Sequence, residues 1–574
     1  MSDADRDLLA SIKGPLSTTS INNYIDNYIG KLPLGFLDTT WNSFVSYSTI
    51  TVNYFSTIAN KVTLSNSVFE PLNTPIIGIA RTLKGNDAPL DDILSFAATI
   101  RFVIILFLVY GISALFAILP SQKLKHLLSA ASGIFLAQWM FGPEWFNSLF
   151  SSLVTYVLLW LAEIVPPLGR YRHIIILVWM MGYMTAAHLW RLHVDYLGWN
   201  MDYTGPQMIL TIKLTSLAFN LYDGHRRSKY ESIIVNNKKA LEDKSLPADK
   251  QRSLQNENRK YSGWIKLSTP RLPDILSYLG YVYLPSSFFA GPAFEYSIYE
   301  ASVTGSIFQT GKDKPNYDWS GRLVATVKKL LFGIVFLGLT VYAMNNGIAA
   351  STMYSVPVLT GTSFINRVAW NWIVLFFARC KYYFAWLVAE GSTNLAGFGY
   401  EPAVGTTPSS WESVKNIDVF GFELASDITA GSKAWNVGTS KWLSQYCGLR
   451  VPRSISLNAV YFLSAFWHGF YPGYYLTFLS VPLFQDLEKT IKAKVSPYFF
   501  PKGKDDSLAY TLYTLLSIIC TSLALNYLVC PFQALSWDYS MQVWVNLYFI
   551  GHIIGYILNI AINVFFKAPK TKTK

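Results

Sequence analysis

The sequence predicts an all-α, polytopic integral membrane protein with about eleven transmembrane or re-entrant helices around an internal tunnel. Charged residues make up 14% of the 574 residues, whereas a soluble domain carries about 25%. Hydrophobic residues make up 51%, and many fall in runs long enough to cross the hydrocarbon core, which ~20 helical residues span. The chain shows no repeat of about 20 to 50 residues, which excludes a solenoid.

The apolar runs begin at residue 98 and define a transmembrane domain that we place at 96–566. Their limits are 98–120, 127–142, 148–168, 173–193, 206–223, 274–296, 327–345, 368–390, 454–480, 508–530 and 542–566. The second run is short, which is typical of a re-entrant segment.

Residues 1–95 are interpreted as a polar and interfacial N-terminal segment. The first residues are acidic and polar, so they lack the basic and apolar regions of a signal peptide. Residues 41–60 carry no charge, and their aromatic and aliphatic residues recur at helical spacing. This pattern favours an amphipathic helix lying in the membrane interface.

The net charge of +12 is explained by membrane orientation, because the basic residues are concentrated in loops between apolar runs. The longest such loop, 225–273, holds twelve Lys/Arg and five Asp/Glu, which predicts a cytosolic position. A nucleic-acid partner is not expected, since the cations form no single stripe or tail.

The chain ends in a basic tail, 567–574. Lys570 and Lys572 form a Lys-x-Lys-x-x pattern that looks like the cytosolic retrieval signal of endoplasmic reticulum membrane proteins. A basic tail beside a membrane is the alternative reading. The six predicted spans between the basic loop and the tail return both to one side, so we expect a cytosolic C-terminus.

Four cysteines, Cys380, Cys447, Cys520 and Cys530, are scattered along the chain. They indicate neither a disulfide framework nor a zinc site. We therefore expect reduced cysteines and no metal.

Five of the seven histidines lie at the edges of apolar runs. They are His126, His173 and His225, beside Lys or Arg and typical of a solvated surface, and His188 and His193, beside Arg191 and Asp195 and typical of a membrane interface.

His468 and His552 lie deep in apolar runs, where every polar group needs a partner or a function. His468 occupies a stretch free of Asp, Glu, Lys and Arg from 454 to 485, so we expect a neutral imidazole that can accept a proton. The aromatic residues and glycines around it favour a narrow apolar tunnel. For His552 we expect helix packing and a hydrogen bond to a neighbouring carbonyl.

Asn436 lies upstream of His468 in the Trp-Asn-x-x-Thr-x-Lys-Trp-Leu stretch, 435–443. Its amide offers a donor and an acceptor without a buried charge. It could orient a histidine or polarise a carbonyl, and a helix cap or loop residue is the alternative reading. Another block, 379–386, leads to Glu390 and on to Gly-Phe-Gly-Tyr at 397–400.

Together these motifs resemble the membrane-bound O-acyltransferase family. The resemblance rests on Glu-Gly-Ser at 390–392, Gly-Phe-Gly-Tyr at 397–400, the stretch 435–443, and Ser-Ala-Phe-Trp-His-Gly-x-x-Pro-Gly-Tyr-Tyr-Leu-Thr-Phe at 464–478. The sterol and diacylglycerol branches of the family carry a Phe-Tyr-x-Asp-Trp-Trp-Asn block. No such block is present here, which favours the lysophospholipid acyltransferase branch.

The resemblance implies transfer of a long-chain acyl group from acyl-CoA to a lysophospholipid hydroxyl, with acyl-CoA as co-substrate and no cofactor. By motif position His468 matches the catalytic histidine and Asn436 its partner. The substrate-binding residues that we expect are Trp435, Lys441, Trp467, Arg379, Glu390 and Tyr474.

The span count creates one conflict with this reading, because it places Asn436 on the luminal side while acyl-CoA is cytosolic. We therefore expect a re-entrant or broken segment between 327 and 453. Two other functions stay open: the same chemistry on a sterol, glycerolipid or peptide hydroxyl, and a lipid transporter or scramblase.

Overall fold

The computed structural model describes residues 66–85, 87–198, 200–243, 245–309, 317–355, 361–403, 408–500 and 507–566. Within these ranges the regular structure is helical, apart from one isolated β-bridge between Glu401 and Ser410. The all-α prediction is therefore confirmed. The interfacial helix predicted over 41–60 and the tail 567–574 lie outside the described residues.

The helices follow in chain order. They are α1 (Asn66–Lys84), α2 (Leu90–Ile118), α3 (Gln122–Phe141), α4 (Phe146–Ile164), α5 (Pro166–Val194), α6 (Thr204–Gly224), α7 (Arg227–Leu241), α8 (Ala248–Leu267), α9 (Ile275–Val282), α10 (Pro285–Phe288), α11 (Tyr296–Thr304), α12 (Trp319–Asn345), α13 (Phe364–Ala396), α14 (Val419–Glu423), α15 (Ile428–Ala434), α16 (Val437–Leu443), α17 (Ser456–His468), α18 (Pro472–Thr490), α19 (Ser496–Phe499), α20 (Leu508–Ala534), α21 (Trp537–Asn546) and α22 (Ile550–Phe565).

Six helices of the described chain are long and apolar enough to cross a membrane. They are α2, the continuous α3–α4 unit Gln122–Ile164, α5, α12, α13 and α20, and the pair α21–α22, bent by 65°, makes a seventh if it counts as one span. The protein is therefore a multi-pass membrane protein. The runs 127–142 and 148–168 belong to one helical unit, interrupted by a 3₁₀ turn at Gly142–Trp145.

Besides 542–566, which is divided between α21 and α22, two more predicted spans are broken in their interior. In 274–296, α9 ends at Val282 and Pro285 starts a separate short helix, because proline fits the first turn of a helix and disrupts a helix interior by removing a backbone hydrogen bond. In 454–480, α17 ends at His468 and α18 starts at Pro472. The expectation of a break between 327 and 453 is wrong for the predicted spans there, since α12 and α13 are both continuous.

Helix α6 forms a polar centre within the bundle. It is buried over most of its length, and several of its polar side chains form hydrogen bonds to surrounding elements, as buried polar groups usually do. Lys213 donates to the Tyr281 carbonyl and, at 2.9 Å, to Ser287 Oγ. Trp442 of α16 donates from Nε1 to Thr215 Oγ1 at 3.0 Å. These bonds fix α16, which follows Asn436, against α6.

Candidate active site

A cavity of about 180 Å³ lies beside His468. Its wall is formed by the C-terminal turn of α5, the first turns of α6, one residue of α13, the α17–α18 junction and the end of α20. Pockets that hold drug-sized ligands measure about 300–1,000 Å³. The cavity therefore accommodates reacting groups, whereas an entire acyl-CoA molecule is too large for it.

His468 is the last residue of α17 and reaches the cavity because the chain turns sharply after it. Gly469 has φ +119°, a conformation that residues with a side chain rarely adopt, and Pro472 then begins α18. The imidazole is surrounded by aromatic rings, with centroid distances of 5.2 Å to Phe478 and 5.0 Å to Phe532. In the described chain neither ring nitrogen makes a hydrogen bond, so both are available to a substrate.

Among the polar side chains that line the same cavity, three besides His468 are unbonded within the described chain. Tyr382, Tyr474 and Gln533 all face it, and none has a side-chain hydrogen bond to another described residue. The Tyr474 ring lies 5.5 Å from that of His468, and Gln533 is 7% exposed. The cavity thus combines an apolar wall with convergent polar groups, as binding sites do.

His188 is the residue that sequence reasoning misplaced most clearly. It was expected at a membrane interface, but it is buried and lines the cavity. Its Nε2 lies 3.0 Å from the Trp467 carbonyl oxygen. The available signal was helical spacing, because buried Met184 and Met181 lie one and two turns before His188 on the same face.

His173 was expected to be solvated, and this expectation is wrong. The ring of His173 packs against Tyr222 with a centroid distance of 3.8 Å and against Phe219 at 4.9 Å. The reason is that helix α5 starts before His173, so this residue faces α6 instead of a loop.

Asn436 caps the N-terminus of α16. Its backbone is left-handed, with φ 42°, and Oδ1 accepts a bond of 3.4 Å from Thr439 N. Its Nδ2 donates to no described residue. Asn436 is not part of the cavity wall, and no hydrogen bond joins it to His468 within the described chain. The structure therefore shows Asn436 as a helix cap. Its NH₂ group has no partner in the described chain and could still donate to a substrate.

Glu390 is connected to Asn436 through the backbone. Its carboxylate pairs with Lys329 Nζ at 2.6 Å and accepts from the amides of Asn416 and Ile417. The Asn416 carbonyl in turn accepts from Val437 N at 2.7 Å. Glu390 thus fixes the backbone segment at Asn416 and Ile417, to which the residue after Asn436 is hydrogen-bonded. The expected contact of Glu390 with substrate stays a prediction.

The predicted substrate-binding aromatics occupy different places. Tyr474 lines the cavity, whereas Trp467 packs beside His468 at 4.7 Å and donates from Nε1 to the Met208 carbonyl. Trp435 packs among Trp386 and other rings. Tyr474 alone of these three lines the cavity.

The two predicted phosphate-binding cations also differ. The Arg379 guanidinium is bonded to both oxygens of Glu423 and to Asn526 Oδ1, so it forms an internal ion pair. Lys441 Nζ lies 3.4 Å from the Ser413 carbonyl. Their contact with an acyl-CoA phosphate stays a prediction, and Lys441 has the looser attachment of the two.

Among the described residues, no group of three His, Cys, Asp or Glu side chains is arranged to hold a metal ion.

We expect His552→Phe to retain most of the wild-type activity and to lower thermal stability in detergent. His552 lies between the Tyr527 hydroxyl at 2.6 Å and Ser480 Oγ at 3.0 Å, and its ring packs on Trp544. Both hydrogen-bond partners of His552 are hydroxyls, so the expected carbonyl partner is wrong. The ring packs against neighbouring helices, as predicted. Turnover and melting temperature measured on the same preparation check this, and a large loss of turnover at unchanged stability would contradict it.

Comparison with known proteins agrees with these motifs. The model of the membrane-bound O-acyltransferase family matches residues 194–530. A lysophospholipid acyltransferase of Schizosaccharomyces pombe is 32% identical over 411 residues, which cover 69% of this chain and 73% of that protein. The membrane-bound glycerophospholipid O-acyltransferase 2 of Gallus gallus is 28% identical, covering 76% of this chain and 79% of its own.

A lysophospholipid acyltransferase of Saccharomyces cerevisiae is 28% identical over 489 residues, which cover 79% of this chain and 72% of that protein. The matched region contains the cavity wall from α6 to α18, with His468 and Asn436 inside it. The chain therefore belongs to the membrane-bound O-acyltransferase family.

Proposed function

We propose that this O-acyltransferase moves a long-chain acyl group from acyl-CoA to the free hydroxyl, at sn-2, of a lysophospholipid in phospholipid remodelling. The observation that carries the proposal is His468, an imidazole with both nitrogens unbonded beside a cavity. The names of the relatives supply the acceptor class. Acyl-CoA is the co-substrate, and the scheme requires no cofactor.

His468 acts as the general base. A hydroxyl is a poor nucleophile at neutral pH, so a positioned imidazole that removes its proton during attack accelerates the reaction, typically by ~10²–10⁴-fold. The hydroxyl oxygen forms a bond to the thioester carbonyl carbon while its proton moves to His468. The tetrahedral intermediate then breaks its C–S bond, and the imidazolium returns the proton to the leaving CoA thiolate. No acyl-enzyme forms.

Asn436 stabilises the charge on the carbonyl oxygen. Negative charge develops there in the transition state, and one preorganised amide donor contributes about 2.7–4 kcal/mol in the measured precedent. The unbonded Nδ2 of Asn436 supports this role over the alternative in which Asn436 orients His468, because no bond joins the two side chains. Acyl-CoA binding is required to bring the thioester between them.

We propose that the Asn436 segment and the basic loop 225–273 both face the cytosol. Because 274–296 is not a continuous helix, only α12 and α13 separate them, and two spans return the chain to the same side. Arg450, which follows α16, pairs with Asp223 at 2.6 Å and lies 3.6 Å from the Trp264 ring centroid of the basic loop. This contact supports one side for both segments and removes the conflict with cytosolic acyl-CoA.

An acceptor panel tests the proposal. Purified protein in liposomes receives labelled acyl-CoA with lysophospholipids of different head groups, a sterol, a diacylglycerol or a peptide hydroxyl. We expect labelled product with lysophospholipids only. Transfer to another acceptor would show that the proposed acceptor class is wrong. Movement of lysophospholipid between leaflets without labelled product would support a scramblase instead.

We propose that the protein resides in the endoplasmic reticulum membrane with a cytosolic C-terminus. Replacing Lys570 and Lys572 with Ser should release part of the protein to later compartments without altering turnover, because a retrieval receptor would no longer bind the tail. Microscopy of the tagged protein checks this. Replacement of Lys574 alone is the control, and unchanged localisation of the double variant would favour a basic tail or retention by span length.

A further inference from the structure

The end of helix α17 determines where the His468 imidazole projects. An α-helix leaves its last four carbonyl groups without intrahelical partners, and the last two residues of α17 are Trp467 and His468. A buried carbonyl without a donor costs about 1–3 kcal/mol. The structure therefore needs an outside donor at this turn.

His188 supplies that donor from helix α5. A carbonyl oxygen only accepts, so the 3.0 Å contact requires that His188 carries its proton on Nε2. The neutral ring then has an unprotonated Nδ1. His188 is 7% exposed, and a hydrogen bond in a buried environment is electrostatically stronger than one in water.

The residue that follows α17 also packs closely against the His188 ring. A Cβ placed on Gly469 would lie 3.1 Å from both Cγ and Nδ1 of His188. A side chain at this position would press on the imidazole, which would have to move by a few tenths of an ångström. The residue after His468 thus rests directly on the His188 ring.

Two further bonds hold the same turn against α6 and against the segment that follows α5. Trp467 Nε1 donates to the Met208 carbonyl at 3.1 Å, and Leu197 N donates to the Tyr471 hydroxyl at 2.8 Å. These bonds lie on either side of His468 along the chain. The bond from His188 is made to the backbone carbonyl of the residue directly before His468, and the His188 ring itself lines the cavity.

We propose that His188 is a positioning residue, which holds the α17 terminus through the Trp467 carbonyl so that His468 points at the acceptor hydroxyl. The inference rests on the proposed function, in which His468 is the general base. His188 itself transfers no proton. Misplacement of a reacting group by about 1 Å can lower the rate by 10²-fold, and loss of the bond allows a displacement of this size.

Paired amide substitutions test the hydrogen bond itself. The side-chain nitrogen of Gln lies at about the same reach as Nε2 of histidine, while that of Asn corresponds to Nδ1. We expect His188→Asn to lower kcat by about ten- to 10²-fold with KM for acyl-CoA nearly unchanged. His188→Gln should retain most of the wild-type kcat. His193→Asn is the matched control on the same helix, outside the cavity wall, and should behave as wild type.

A second measurement does not require turnover. Diethyl pyrocarbonate modifies imidazole nitrogens, and peptide mass spectrometry gives the modification rate of His468. This rate should change in His188→Asn and stay at the wild-type value in His188→Gln. Equal kcat and equal modification rates in the two variants would overturn the inference. Failure of the wild-type protein to form product would overturn the proposed function alone, since the modification rates still report on positioning.

Discussion

His468→Ala is expected to lower kcat for acyl transfer by about 10²–10⁴-fold, the contribution typical of a general base. The imidazole faces the cavity with both nitrogens unbonded, so its removal deletes the proton acceptor and breaks no hydrogen bond within the described chain. Acyl-CoA binding should persist, because no described contact links His468 to the predicted phosphate-binding cations. Turnover and acyl-CoA affinity, measured on the same purified protein, check both statements.

Packing could confuse the result for the alanine variant, because His468 lies between aromatic rings such as Phe478 and Phe532. His468→Gln is the better-matched control, since it fills much of the space but its amide is not basic. Both variants should lose activity to a similar extent, and His468→Gln should keep the wild-type melting temperature. Wild-type turnover in either variant would rule out His468 as the base.

Asn436→Asp is expected to lower kcat and kcat/KM together by about 10²–10³-fold, the loss measured for one oxyanion donor. The aspartate keeps the oxygen that caps α16 and, like asparagine, tolerates the left-handed backbone, but it lacks the NH₂ donor. Asn436→Ala removes the donor and also the cap, which costs about 0.5–2 kcal/mol of stability. The comparison of the two variants by steady-state kinetics and thermal melting separates catalysis from capping.

A double variant gives an independent check on Asn436. Residues that act as one unit lose most of their benefit with the first deletion, so Asn436→Asp combined with His468→Ala should be little worse than the poorer single variant. Wild-type kcat in Asn436→Asp would leave Asn436 as a helix cap. If the activity losses of the two single variants multiply in the double variant, and Asn436→Asp raises KM for acyl-CoA, Asn436 would instead be a substrate-binding residue.

The sequence was sufficient for the fold class and for the apolar, aromatic surroundings of His468, since both depend on local signals. Apolar runs of helical length and a low charged fraction indicate membrane helices wherever they occur. His468 was selected as a candidate because it lies in a long stretch without charged residues. These properties are read within one segment and need no knowledge of how segments pack.

Features that depend on distant partners could not be predicted. His188 lies 279 positions from Trp467, so the sequence shows only its nearby charged residue Arg191, which favoured a position at the membrane interface. Arg379 looked available for a phosphate because Glu423 is 44 positions away. The break in 274–296 does not show in a hydropathy profile, because the profile averages over many residues whereas Pro285 interrupts the helix at one position.

A single-turnover experiment with excess protein, labelled acyl-CoA and lysophospholipid in liposomes tests direct acyl transfer at His468 most directly. We predict that label passes from acyl-CoA to phospholipid without appearing on the protein, and that His468→Ala slows this step by about 10²–10⁴-fold. Label that appears first on the protein, or equal transfer rates for wild type and His468→Ala, would contradict direct transfer with His468 as the base.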